Sequence, residues 1–153
     1  MLLTKKEFTQ EAAYQLWAIS SDAYQFGAPW TMEQFAADIN QTVSDYLVFS
    51  EKNVWSGFIA YHQILDEIEV NHVVVAKALQ GQGLGQKMME HARQVWLQKG
   101  IKQVFLEVRA SNLSAKKLYE KIGFKTINCR KNYYRHPQED GFVMCLKLKD
   151  VKE

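Results

Sequence analysis

The chain has 153 residues, 47% hydrophobic and 24% charged, which suits one packed domain and leaves no room for a second of ordinary size. Its 19 basic and 17 acidic side chains leave a net charge of +2, so charge gives no case for binding nucleic acid or a membrane surface. The cysteines Cys129 and Cys145 are too few and too far apart for a disulfide framework; both fall in alternating apolar segments that predict buried free thiols.

Met1–Lys6 carries no signal-peptide core, and no apolar run reaches the length of a membrane span, so a cytoplasmic protein is expected. Met1–Leu3 is short enough for a strand stub and is not counted as one. Phe8, Ala12, Leu16 and Ile19 recur at helical spacing, and Gly27-Ala28-Pro29 ends that region. Thr31 with Gln34 three residues on forms a capping box, predicting a short helix through Ile39.

From Tyr46 the apolar period changes to two. Tyr46–Ser50 and Val54–Ile64 read as strands joined at Glu51-Lys52-Asn53, and Ile68–Ala76 as a third after Asp66-Glu67. Within it Val73, Val74 and Val75 are continuously apolar, as in a strand covered on both faces. Leu84, Met88, Ala92, Val95 and Trp96 then keep a helical face to Lys99, with Gly100 placed to end it. Gln103–Val108 is the next strand, Ser111–Ile122 a helix stopped by Gly123, and Phe124–Asn132 and Gly141–Leu148 are closing strands around a polar loop with Pro137. Strand–helix–strand–helix order predicts an α/β sandwich: a mixed sheet with parallel pairing in its middle and helices on both faces.

Gln80-Gly81-Gln82-Gly83-Leu84-Gly85 joins a buried strand directly to a helix. Glycines there let several backbone N–H groups turn toward an anion, and the helix start adds unpaired donors and a positive dipole end. On the residues alone, a phosphate site and a flexible turn are equal readings. Gln86-Lys87 lacks the Lys-Ser or Lys-Thr of a P-loop, and the mid-chain position does not suit a dinucleotide fold.

Gln80, Gly83 and Gly85, between strand and helix, resemble the acetyl-CoA signature of the GNAT superfamily. Downstream, Leu106–Asn112, Leu118-Tyr119-Glu120, Ile122-Gly123-Phe124 and Arg130–Tyr134 resemble the RimI branch, the ribosomal-protein-alanine N-acetyltransferases. The likeness is dense over residues 54–148. His72, Ala76 and Lys77 depart from it, standing where an asparagine and an aspartate-proline pair are common.

The resemblance implies a GNAT-type sheet, mixed but mostly antiparallel, and acetyl-CoA as co-substrate. It implies that the backbone of Gly81, Gln82, Gly83, Leu84, Gly85 and Gln86 grips the pyrophosphate, and that Val73, Val74 and Val75 run beside the pantetheine arm. Asn112, on its own a helix N-cap, is implied to hydrogen-bond the coenzyme. Glu107 interrupts an apolar strand; a wet-face carboxylate and a catalytic base are equal readings until the resemblance makes it the proton acceptor. Tyr119, by spacing a core tyrosine, becomes the implied general acid, and a backbone N–H near Val75 the oxyanion donor.

The implied acceptor is the N-terminal alanine of a small-subunit ribosomal protein. Asp66 and Glu67 either face its basic peptide or form a solvated turn, and the Arg130–Tyr134 stretch offers an opposite wall. Lysine side chains, small amines and other protein N-termini remain open as acceptors. So does a non-catalytic coenzyme-A-binding or interaction module, against which the presence of both Glu107 and Tyr119 argues. His62, His72, His91 and His136 show no ligand spacing, and no metal is expected.

Overall fold

The computed structural model describes residues 1–24 and 27–148. In chain order it contains β1 (Leu2–Thr4), α1 (Ala12–Ala23), α2 (Met32–Ile39), β2 (Ser44–Glu51), β3 (Val54–Ile64), β4 (Glu67–Val75), α3 (Leu84–Gln98), β5 (Gln103–Arg109), α4 (Leu113–Ile122), β6 (Lys125–Arg135) and β7 (Gln138–Lys147). The strands form one seven-stranded sheet in the order β1-β2-β3-β4-β5-β7-β6. Among the described residues only β4 and β5 pair in parallel; every other neighbouring pair is antiparallel. No described helix is long and apolar enough to cross a membrane.

Two apolar clusters, one on each face, fix where the helices sit. Leu16 of α1 and Phe35 of α2 pack with Tyr46, Val48, Phe58, Ala60 and Val74 of the sheet. On the other face Met88, Met89, Ala92 and Trp96 of α3 join Tyr119 and Ile122 of α4 over Ile59, Ile68, Val104 and Leu106. Burying these side chains removes apolar area from water at roughly 25 cal/mol per Å², which is what holds the layers together. The start of α2 follows its local signal: Gln34 N–H donates to Thr31 Oγ1 at 3.1 Å, and Thr31 N–H to Gln34 Oε1 at 2.8 Å.

A bulge reverses the alternation of β4. Ala60 pairs with His72 but Tyr61 with Val70, so Asn71 is the unpaired extra residue. Before it Ile68 and Val70 face α3 and α4; after it Val74 faces α1 and α2, while Val73 and Val75 pack toward α3 and α4. The continuous valine run is therefore covered on both faces, as its composition predicts.

Several expectations are corrected. Leu2–Thr4 is a strand, paired through Leu2↔Phe49 to Thr4↔Leu47. Phe8 lies outside α1, after a 3-10 turn at Lys5–Glu7, yet packs on the α1 and α2 side. The closing strands run longer, with Arg135↔Gln138 as their last pair, so Pro137 sits in a tight turn rather than a long loop. Cys145 is buried but Cys129 is exposed. Cys129 lies on β6, the sheet's edge strand, where no helix covers it.

Candidate active site

The sheet opens at its one parallel junction. β4 and β5 pair only through Glu67↔Gln103, Ile68↔Val104 and Glu69↔Phe105, and then diverge. Beyond Phe105, the β5 edge from Leu106 and the β4 edge from Val70 face each other across a gap. Ala76 N–H donates to Ser56 O of the β3 side at 2.8 Å. By strand alternation Val74 also faces β3, so the backbone N–H and C=O of Val73 and Val75 point into the gap. The Val75 carbonyl confirms this orientation by accepting from Gln80 Nε2 at 3.1 Å. The same amide nitrogen lies 3.3 Å from Ala23 O, tying the end of α1 to the mouth of the gap.

The glycine loop stands at that mouth. Gly81 and Gly83 have φ of +79° and +80°, a left-handed conformation that side chains resist. Gly83 is the N-cap of α3. The N–H groups of the first helical turn, Leu84, Gly85 and Gln86, have no intrahelical acceptor by helix geometry and project past the end of β4. A pyrophosphate fits these donors and the dipole behind them, and an amide-containing arm fits the edge of Val73–Val75, where the Val75 carbonyl already accepts from Gln80. The residues present suit acetyl-CoA.

Glu107 lies on β5 two residues past the last parallel pair, at the throat of the gap. Its strand neighbours Leu106 and Val108 are buried in the cluster under α3 and α4, so Glu107 faces the α1 and α2 side. Arg130 Nη1 lies 3.3 Å from Glu107 Oε1 in an exposed ion pair. The Arg130 guanidinium is also stacked 5.0 Å from the centre of the Tyr133 ring. A hydrogen bond to Glu107 is the main cause holding the Tyr133 phenol above its usual range.

A second bulge puts these groups there. Arg130 pairs with Gly141 and Tyr134 with Glu139, leaving Lys131, Asn132 and Tyr133 opposite Asp140 alone. Asp140 secures the bulge, accepting from Asn132 N–H at 2.9 Å and Lys131 Nζ at 3.3 Å. Glu139 accepts from Ser111 N–H at 2.8 Å and pairs with Arg109 at 3.2 Å, fixing the junction of β5 and α4. Both tyrosines fold over Gly141, where a Cβ would come within 2.9 Å of Tyr134 Cε2. Arg109 lies 4.4 Å from the centre of the Tyr134 ring.

Tyr119 lies on the opposite face of the sheet from Glu107. It is buried on α4 against Phe124, and burial, followed by the nearby Tyr134, raises its phenol well above the usual range. The Tyr134 phenol is itself pushed up to about 12, chiefly by burial and then by Glu107. Asn112 caps α4, accepting from Ala115 N–H at 3.2 Å.

The structure thus places Glu107, the Val73–Val75 edge and the loop Gly81–Gln86 around one opening, with Tyr119 buried on α4 on the far face and Asn112 at the helix start beside β5. Asp66 and Glu67 do not join them. They are exposed at the closed end of β4, where the strands are still paired, so the solvated-turn reading holds. Sequence patterns gave no sign of Tyr24, which follows α1 and ends against His72 of the bulged strand. Among the described residues no three His, Cys, Asp or Glu side chains gather as metal ligands.

Residues 12–124 match the acetyltransferase (GNAT) family. The [ribosomal protein bS18]-alanine N-acetyltransferase of Escherichia coli K12 is 32% identical over 139 residues, covering 90% of each chain. The crystal structure of the ribosomal-protein-S18-alanine N-acetyltransferase from Escherichia coli superposes with a TM-score of 0.86, at 27% identity over 99% of this chain and 96% of that one. A GNAT family acetyltransferase from Elizabethkingia anophelis with acetyl-CoA bound shares the fold, with a TM-score of 0.76 at 17% identity over 97% of each chain.

Proposed function

As a member of the GNAT acetyltransferase family, to which it belongs, this chain is an N-acetyltransferase, and we propose that its acceptor is the N-terminal alanine of ribosomal protein S18. The observation that supports the chemistry is the opening between β4 and β5, with the Glu107 carboxylate at its throat and the buried Tyr119 phenol on the opposite face of the sheet. The relative from Escherichia coli, matched over nine-tenths of each chain, supports the acceptor. An acceptor on a ribosomal protein sets this work in the cytoplasm.

Bound acetyl-CoA supplies a thioester whose carbonyl is open to attack by an amine. The loop Gly81–Gln86 holds its pyrophosphate by backbone donors, the Val73–Val75 edge pairs its amide arm, and Asn112 adds a contact from the start of α4. Glu107 accepts the proton of the acceptor amine. A free α-amine has a pKa near 7.7–8.0 against about 10.4 for lysine, so a single carboxylate deprotonates it more readily. The Val75 N–H, directed into the gap, meets the carbonyl oxygen as it gains negative charge. Tyr119, a phenol already protonated at neutral pH, gives its proton to the departing thiolate as the thioester bond breaks. The tyrosines of the β6 bulge form one wall of the acceptor groove.

A competition assay tests the acceptor. The enzyme is given acetyl-CoA with a peptide bearing the S18 N-terminal alanine, its N-terminally blocked form, and a peptide offering only a lysine amine. Acetylation of the free alanine peptide alone is expected. Equal modification of blocked and free peptides would overturn the assignment.

A further inference from the structure

His72 and Tyr24 form a pair that the acetyl-transfer machinery above does not use. His72 is 2% exposed, on the α1 and α2 side of the bulge in β4. Its Nδ1 lies 3.4 Å from the Tyr24 hydroxyl, while its Nε2 has no hydrogen-bond partner. Trp30 and Phe35 enclose the ring, with centroids at 4.4 and 5.2 Å. A buried imidazole so enclosed stays neutral, and burial lowers its pKa to about 4. Tyr24 and Nδ1 share one hydrogen bond, and whichever of the two donates, the phenol oxygen keeps a lone pair for a further donor.

Where it points follows from the sheet. Tyr24 belongs to the apolar cluster under α1 and α2, whereas Tyr119 belongs to the cluster on the opposite face. The link from Ala23 O through Gln80 Nε2 to Val75 O sets Tyr24 beside the open edge of β4, and burial, then the neighbouring phenols Tyr119 and Tyr134, raise the pKa of its hydroxyl. Side chains from opposite faces of a closed sheet are kept apart by its backbone. They meet only where the sheet is open, which is the gap between β4 and β5. Extending the parallel register beyond Glu69↔Phe105 sets Glu107 level with Asn71, the immediate neighbour of His72. Tyr24 and Glu107 therefore stand on opposite lips of one throat and on the same face. Gln80, bridging Ala23 O and Val75 O, fixes the lip that carries Tyr24.

We propose that Tyr24 is a further catalytic residue, whose hydroxyl oxygen accepts a hydrogen bond from the acceptor amine opposite Glu107, with His72 as the positioning residue that fixes it. Glu107 takes the amine's proton; Tyr24 takes none, and holds a remaining N–H so that the nitrogen lone pair faces the thioester. The proposal rests on the α-amine reading of the function and adds a contact on the β4 side of the amine.

The test is steady-state kinetics on purified full chain with acetyl-CoA and the alanine peptide. Tyr24→Phe keeps the ring and removes the hydroxyl. It is expected to lower kcat/KM for the peptide about tenfold, as loss of one such bond does, with KM for acetyl-CoA and the melting temperature unchanged. His72→Leu is expected to lose as much, and His72→Asn, whose amide reproduces the Nδ1 position, to recover most of it. Unchanged peptide kinetics in Tyr24→Phe would overturn the proposal. So would a fall matched by loss of coenzyme affinity or melting temperature, since the ring's packing would then be the cause. A wild-type enzyme that modifies only lysine would defeat the α-amine reading alone, and the ratio of Tyr24→Phe to wild type on that lysine would still decide the role of Tyr24.

Discussion

Replacing Gly83 by alanine isolates the part of the glycine loop that is conformational. A Cβ built there meets nothing within 4 Å, so the substitution has no steric cost within the protein. Its φ of +80° is the whole difficulty, since the left-handed region costs an L-residue roughly 1–2 kcal/mol. The loop is exposed, so the free protein relaxes and its melting temperature changes little. In the proposed binding mode acetyl-CoA requires the left-handed turn to be restored, and the strain is then expected as lost affinity, roughly 5- to 30-fold at 1.4 kcal/mol per decade.

The protein carries its own control. Gly100 after α3 has the same φ of +80° and equally open surroundings. Its N–H donates to Leu97 O at 3.1 Å, as part of the helix end. Gly100→Ala is expected to lower the melting temperature and leave coenzyme affinity unchanged. Calorimetric titration with acetyl-CoA and thermal melts on both variants give the comparison. Equal affinities for Gly83→Ala and wild type, or equal losses in the two variants, would refute the assignment of the loop to the pyrophosphate.

Glu107→Gln and Tyr119→Phe are each expected to slow acetyl transfer roughly 10²–10⁴-fold without weakening acetyl-CoA binding, and wild-type turnover in both would withdraw their roles. Arg130→Gln breaks an ion pair whose side chains are 48% and 32% exposed, so urea unfolding should shift by under about 1 kcal/mol. His72 has a folded pKa of about 4, below its ordinary 6.5, because burial disfavours the charged ring. The unfolded chain therefore binds the extra proton between those values. Its contribution is intact above about pH 6.5 and is lost as pH falls toward 4, by about 3 kcal/mol. His72→Phe should flatten that part of the stability profile in urea titrations at pH 7 and 4.5. Leu16→Ala empties a fully buried position and should cost about 2–5 kcal/mol.

The fold was legible where apolar and polar residues contrast along the chain. Val54–Ile64, buried continuously from Gly57 to Tyr61, is bounded by the polar Glu51-Lys52-Asn53 and Asp66-Glu67, and Thr31 with Gln34 marks the start of α2. β6 has no such contrast: nearly all its residues are exposed on an edge strand, so its apolar pattern stops short of its pairing. β1 is three residues long and takes its identity from pairing with β2. Among site residues, the glycine loop and Glu107 stand out because each breaks the local pattern. Tyr24 does not, because an aromatic residue after a helix reads as packing. Its position depends on a bulge at Asn71 and a gap between strands, both products of long-range pairing.

The few residue pairs joining β4 to β5 also bear on how the protein responds to its co-substrate. In the proposed binding mode, the part of this inner edge that no protein group pairs meets water in the free protein, and coenzyme replaces that water along Val73–Val75. Ligand binding is thereby linked to folding: at a coenzyme concentration one hundred times its Kd the folded state gains about 2.7 kcal/mol. Amide hydrogen exchange would register this residue by residue. In free protein the N–H groups of Val73 and Val75 exchange faster than that of Val74, which faces β3, and on adding acetyl-CoA the difference closes.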